Sequence, residues 1–428
     1  MNYKLDKKDK YSLASLQISG SKLTTAYISA DLQLTNNLTE QATGIMFAEA
    51  MLSGAGKFDR EELINQIRKI GASLNISVGD NQITLKLQAR TENFSKLVKI
   101  AKTLINEPDF ESKELNRIYL KTRNELVESK EDSRSFADDE LRNCFYGKKD
   151  RKYSFSIDDL LEEIQLINSK HFKIWHNRFL SKTWTCSIAG PKDSIETFAT
   201  LIDGIKKTTK LVDTEYLHDP RPAKPKLFLK DIPSRQNIDF AIGTPLPITI
   251  HHPDYLPLVL GVAILGNWGG FAGRLMSTVR EKEGLTYTIY ARIEGATDKE
   301  EGYLRILTFF APDKSTEALK STYREISLLH KKGVEKDELA HFKNILNTRN
   351  TLRQDSTAGL LAELHTYHKL GFSIKEVLAH KAKLKTITLE AVNQAITKYL
   401  DPKNMSVTGA GPVKGVKKEI DKFFKSVQ

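Results

Sequence analysis

The segment GIMFAEAMLSGAGKFDREEL, residues 44–63, carries Glu49 near its middle, with Met46 three residues before it and Ala50 directly after. It reads as a metal-binding helix from which the ligands have been removed. A carboxylate in that position suits general-base chemistry on a metal-bound water, but a thioether and a methyl group give a metal little to bind. The chain is therefore a hydrolase, a hydrolase that lost its metal, or the partner of one that kept it.

Other residues could do chemistry in principle. His365 and His368 in AELHTYHKLG sit at i and i+3 of a predicted helix with Glu363 nearby, a spacing unlike the productive one for a metal pair, so a structural or surface role is expected. His251 and His252 are adjacent in a loop, and their side chains diverge. Gly266, Gly269, Gly270 and Gly273 mimic a phosphate loop, yet no Gly-Lys-Ser/Thr follows, so a tight turn with close backbone approach is expected instead. Cys144 and Cys186 lie far apart without a paired-cysteine motif and are expected to be buried free thiols.

The elements that must position these residues belong to a chain of 428 residues, long enough for two or three domains. Its 40% hydrophobic and 28% charged composition is that of a globular protein. Sixty-five basic against fifty-four acidic residues give +11, but the lysines are interleaved with acids. A solvated basic surface is the expected consequence, with no nucleic-acid partner. An electropositive cavity for an acidic or polypeptide ligand stays open as a second reading. The longest nearly apolar run, LPLVLGVAILG, is eleven residues and contains a proline, too short for a membrane span. The first residues, MNYKLDKKDKYSLASLQ, show no signal peptide, which fits a cytoplasmic chain as written or a periplasmic one in trimmed mature form.

The chain also repeats itself. IQLINSKHFKIWHNRFLSKTWTCSIAGP from Ile164 matches LKTITLEAVNQAITKYLDPKNMSVTGAGP from Leu384 in pattern, an offset of 220 residues. ESKELNRIYLKTRNEL from Glu111 faces EKDELAHFKNILNTRNTL from Glu335 at 224, and IRKIGASLNISV from Ile67 faces VREKEGLTYTIY from Val279 at 212. Offsets near half the chain length predict two homologous domains, 1–208 and 228–428, joined by a proline-containing linker at 209–227. Alternating stretches such as NQITLKLQAR and YLRILTFFAP predict strands, and SKLVKIAKTLI and STEALKSTYREISLL predict helices. The order of elements points to an α+β fold, two sandwiches of mostly antiparallel sheet packed with helices.

Here the residues carry a family likeness. MFAEAML, followed by REEL and GASLN, resembles the insulinase or pitrilysin-like zinc peptidases (M16) in their half-length form, and the likeness extends over nearly all of both halves. An active member has His-x-x-Glu-His at this place, two histidines one helical turn apart that grip zinc while the glutamate between them activates water. The resemblance makes Glu49 the would-be general base, and Glu125, 75 residues after Ala50, the would-be distal ligand. Met46 and Ala50 stand where the histidines should be. No zinc and no hydrolysis are expected of this chain alone, and both acids read as vestigial.

The second half keeps more. LGNWGGFAGRLMSTVREKEGLTYTIYARIEG, from Leu265, resembles the family segment that supplies an arginine and a tyrosine seven residues apart to the substrate held at the zinc. Arg280 and Tyr287 match both, and a guanidinium and a phenol can donate to a peptide carbonyl or its oxyanion. Trp268 departs from the small residues usual in the turn. The resemblance thus implies a catalytically inactive subunit of a heterodimeric zinc metallopeptidase. It would have no cofactor of its own, the zinc being carried by a partner subunit of similar length, and it would bind an extended or unfolded peptide through Arg280 and Tyr287. Pairing with itself remains a second arrangement. The alternatives are a non-proteolytic scaffold or binding protein of the same fold, and a self-sufficient metallopeptidase with atypical ligands.

Overall fold

The computed structural model describes residues 2–34, 36–79, 82–110, 112–206, 208, 218–220, 224–266, 272–354 and 356–428. Most of the predicted linker, together with Asn267, Trp268, Gly269, Gly270 and Phe271, lies outside the described residues. In chain order the first elements are β1 (Asn2–Lys7), β2 (Tyr11–Gln17), β3 (Leu23–Asp31), α1 (Leu38–Met51), β4 (Gly54–Ala55), β5 (Phe58–Asp59), α2 (Arg60–Lys69), β6 (Ser73–Gly79), β7 (Gln82–Arg90) and α3 (Thr91–Asn106). Then come α4 (Ser112–Ser129), α5 (Ser133–Phe145), α6 (Ile157–Glu163), α7 (Ser169–Ser181), β8 (Trp184–Gly190) and α8 (Lys192–Asp203). The remainder holds β9 (Leu227–Asp231), β10 (Ile238–Leu246), α9 (Tyr255–Gly266), a π-helical turn (Met276–Lys282), β11 (Ile289–Glu294), β12 (Gly302–Phe310) and α10 (Ser315–Lys332). It ends with α11 (Lys336–Gln354), α12 (Thr357–Lys369), α13 (Ile374–Thr386), α14 (Leu389–Tyr399), β13 (Ser406–Gly411) and α15 (Lys417–Val427).

These elements form two compact units, each drawn from three stretches of chain. The first comprises Met1–Val127, Phe155–Leu217 and Thr351–Ser373, and the second Glu128–Ser154, His218–Asn350 and Ile374–Gln428. So α5 belongs to the second unit and α12 to the first. Each unit has its own core and its own sheet.

The first sheet runs β1-β2-β8-β3-β7-β6, antiparallel except for the β2–β8 pair. In β7 the residues Ile83, Leu85, Leu87 and Ala89 are buried while those between are partly exposed, the period of two that turns one face to the core. Onto that face packs α3, whose Phe94, Leu97, Val98, Ala101, Leu104 and Ile105 recur at helical spacing and are buried. The second sheet runs β11-β12-β10-β13-β9, antiparallel except for β9–β13. Helix α9, apolar on every side, is buried along most of its length, which accounts for the apolar run that was too short for a membrane. Among the described residues no helix is long and apolar enough to cross one.

The repeat is visible in this topology. In each unit the strand that follows α7 or α14 enters the sheet between a parallel neighbour and an antiparallel one, so β2, β8, β3, β7 and β6 correspond to β9, β13, β10, β12 and β11. One predicted correspondence shifts. β6 begins at Ser73 and β11 at Ile289, an offset of 216 rather than 212, because the chain spends more residues between the π-helical turn and β11 than between α2 and β6. That longer connection contains Tyr287.

Candidate functional site

Helix α1 is capped by Asn37, whose side chain accepts from the Glu40 backbone N–H at 2.9 Å. From there the helix drives Met46, Phe47 and Ala50 into the core, Met46 and Ala50 each at 1% exposure. Phe47 packs against Phe110, Phe172 and Trp175. The two positions that would carry metal ligands are thus ordinary core residues.

Glu49 is only half-buried and faces α4. Along that helix Arg117, Lys121 and Glu125 succeed one another at i+4 steps and share a face. Arg117 Nη1 donates to Glu49 at 3.3 Å, and Lys121 Nζ donates to the other carboxylate oxygen. Lys121 Nζ also lies 3.7 Å from the Glu125 carboxylate, while Arg117 Nε donates to Glu114 at 2.6 Å. Burial pushes the Glu49 carboxyl up, but Lys121 and Arg117 outweigh it and hold the group below its ordinary value. Glu49 is therefore an ionised, doubly paired residue at neutral pH.

Zinc does not fit this arrangement. Positions 46 and 50 offer no nitrogen, thiolate or oxygen donor, and both remaining carboxylates hold an ammonium. Among the described residues no three His, Cys, Asp or Glu side chains converge as a metal site.

In the second unit Arg280 and Tyr287 come together. Arg280 lies on the π-helical turn, an irregularity that recurs at functional sites, and Met276 and Val279 of that turn are buried in the core. Gly273 and Gly284 bracket it at φ of 120° and 64°, values that a side chain resists. Glu283 ties the end of the turn to α10 through Ser321 and Arg324. At its start Arg274 grips Glu338 of α11 with two hydrogen bonds of 2.9 and 2.8 Å and donates to the Gly333 carbonyl at 2.8 Å. On this braced segment the Arg280 guanidinium lies 4.8 Å from the centre of the Tyr287 ring. Tyr287 belongs to the loop before β11, and its side chain is 70% exposed. A cation stacked on an exposed phenol can present hydrogen-bond donors to a peptide group.

The other candidates are structural. His365 on α12 is buried, 2.8 Å from Ser29 Oγ and 2.9 Å from Ser187 Oγ, and its ring stacks on Tyr27 at 4.8 Å. Burial, then the nearby Lys369 and His368, lowers it to about 3. His368 lies 2.6 Å from Ser12 Oγ and is lowered to about 4, chiefly by burial. Before α9 His252 Nδ1 lies 3.9 Å from Asp254, and among the described residues neither His251 nor His252 belongs to a cluster that could hold a metal. Cys144 and Cys186 are buried free thiols, and burial pushes Cys186 up.

Sequence reasoning passed over Arg117 and Lys121, although their spacing from Glu125 along one helix was the signal. It also passed over Arg274 and Glu283, which hold the Arg280 turn in place through long-range partners that spacing does not reveal.

Residues 45–159 match the family profile described as insulinase (peptidase family M16), and residues 172–346 match the peptidase M16 inactive domain. A Helicobacter pylori protein described as non-peptidase homolog YmxG is 20% identical over 370 residues, covering 83% of this chain and 81% of that one. The crystal structure of a peptidase M16 inactive domain from Pseudomonas fluorescens superimposes with a TM-score of 0.83 at 20% identity, covering 96% of this chain and 98% of that one. A protease from Helicobacter pylori gives 0.81 at 12% identity, covering 96% and 99%.

Proposed function

We propose, for a chain that belongs to the insulinase-like M16 family in its half-length form without the zinc-binding histidines, a role as the non-catalytic subunit of a two-chain peptidase. The observation that carries it is the exposed Tyr287 under the Arg280 guanidinium, on a segment anchored by Arg274 and Glu283. The braced turn keeps Tyr287 at 70% exposure, so most of it stays open to a ligand. In this reading the zinc belongs to a partner subunit of similar length with an intact His-x-x-Glu-His, and Arg280 and Tyr287 donate to the carbonyl oxygen of the peptide held there. The description of the Helicobacter pylori relative as a non-peptidase homologue supports the silent half of the proposal.

The sheet supports an extended peptide as the substrate class. β6 is an edge strand, and an extended peptide can add to such an edge through backbone hydrogen bonds without regard to most of its side chains. The interleaved +11 charge would favour acidic stretches of such a peptide.

The test is hydrolysis of an unstructured, internally quenched peptide by a zinc-bearing family member mixed with this chain. Arg280→Ala and Tyr287→Phe should each lower kcat by about a hundredfold, the scale of losing one donor to a developing oxyanion, with the zinc content of the mixture unchanged. Equal rates for wild type and both variants would remove the completion role and leave the non-proteolytic binding protein as the better reading.

A further inference from the structure

The loss of the histidines leaves one fact unexplained: two acids of the site, Glu49 and Glu125, are still present and close to one ammonium. Two carboxylates near each other without a cation between them would repel. We propose that Lys121 is the resident cation of this site and excludes divalent metal from the first unit independently of the missing histidines.

The geometry gives Lys121 that position. It lies one helical turn before Glu125, donates to Glu49 on the facing helix, and reaches the Glu125 carboxylate at 3.7 Å, so one Nζ serves both acids. Arg117, one turn earlier, adds a second positive charge to Glu49 at 3.3 Å and is itself fixed by Glu114. A divalent ion arriving there would meet two cations, and it could use either carboxylate only by displacing the charge that carboxylate already holds. The acids persist as partners of an internal ion pair. Restoring the two histidines would supply donors and leave this obstacle in place.

The experiment compares zinc binding by equilibrium dialysis in Met46→His/Ala50→His and in the same chain with Lys121→Gln added. The triple variant should bind at least about tenfold more tightly than the double, a difference of about 1.4 kcal/mol. Equal affinities, including no binding by either, overturn the proposal.

Histidines at two core positions can prevent folding, so a second measurement leaves positions 46 and 50 as they are. A double-mutant cycle of Glu49→Gln and Lys121→Gln, read by urea unfolding, should show a coupling of roughly two- to fivefold in the unfolding constant, shrinking in 1 M salt because Lys121 is partly exposed. Strict additivity of the two substitutions overturns the proposal as well.

Discussion

Replacing His365 with Gln should remove a specific part of the acid sensitivity of the first unit. His365 is seated on α12 between Ser29 and Ser187, with Lys369 adding positive charge nearby and Tyr27 stacked against the ring. Its folded value is lowered from 6.5 to about 3, so between those values the unfolded chain binds a proton that the folded one does not. Stability from this group is complete above pH 6.5 and declines as the pH falls towards 3. pH 5 lies about 1.5 units below the unfolded value of 6.5, which corresponds to about 2 kcal/mol lost relative to pH 7.5. Urea unfolding followed by tryptophan fluorescence suits the question, because Trp175 and Trp184 are both buried in the first unit. His365→Gln keeps a hydrogen-bonding side chain without the titration. Whatever its stability at pH 7.5, its loss between pH 7.5 and 5 should be smaller than that of wild type by about 2 kcal/mol. His368, lowered to about 4, should behave alike in a parallel His368→Gln chain. An identical pH slope in His365→Gln and wild type would refute the reasoning, since the buried imidazole would then titrate the same way in both states.

Two further substitutions probe the second unit. Gly284→Ala places a side chain at φ 64° in otherwise open space, so a cost of about 1–2 kcal/mol should come from backbone strain alone, together with slower hydrolysis in the reconstituted pair; unfolding at unchanged urea concentration would contradict it. Glu300→Gln removes the buried acid held by Arg151 at 2.7 Å and Lys152 at 3.0 Å, and should destabilise the second unit by about 3–5 kcal/mol in a denaturant titration, because two buried cations lose their partner.

The fold was readable wherever burial writes a period into the chain. The alternation of β7 and the helical recurrence in α3 survive because each element buries one face against a single neighbour layer. The repeat was readable for the same reason, since equivalent elements of the two units keep the same pattern. The placement of α5 and α12 was hidden. Ala137 and Leu141 announce a buried face on α5, but nothing in that pattern says that the face lies against Ala241 and Leu307 of the second sheet. The same holds for Leu360 and Leu361 of α12 against Leu16 and Ala189.

For the candidate site, the missing ligands at 46 and 50 were plain from residue type, whereas the ion pairs that occupy Glu49 depend on how α4 lies across α1 in three dimensions. The loop character of Tyr287 was concealed because LTYTIY reads as one alternating strand. The structure begins that strand only at Ile289.

The most direct measurement is zinc by elemental analysis, taken alongside peptide hydrolysis, on this chain alone, on a zinc-bearing family partner alone, and on the purified complex. The expected result is no stoichiometric metal and no hydrolysis for this chain, about one zinc per complex carried by the partner, and hydrolysis that rises when the two are combined. Stoichiometric zinc together with hydrolysis in this chain alone would contradict the assignment.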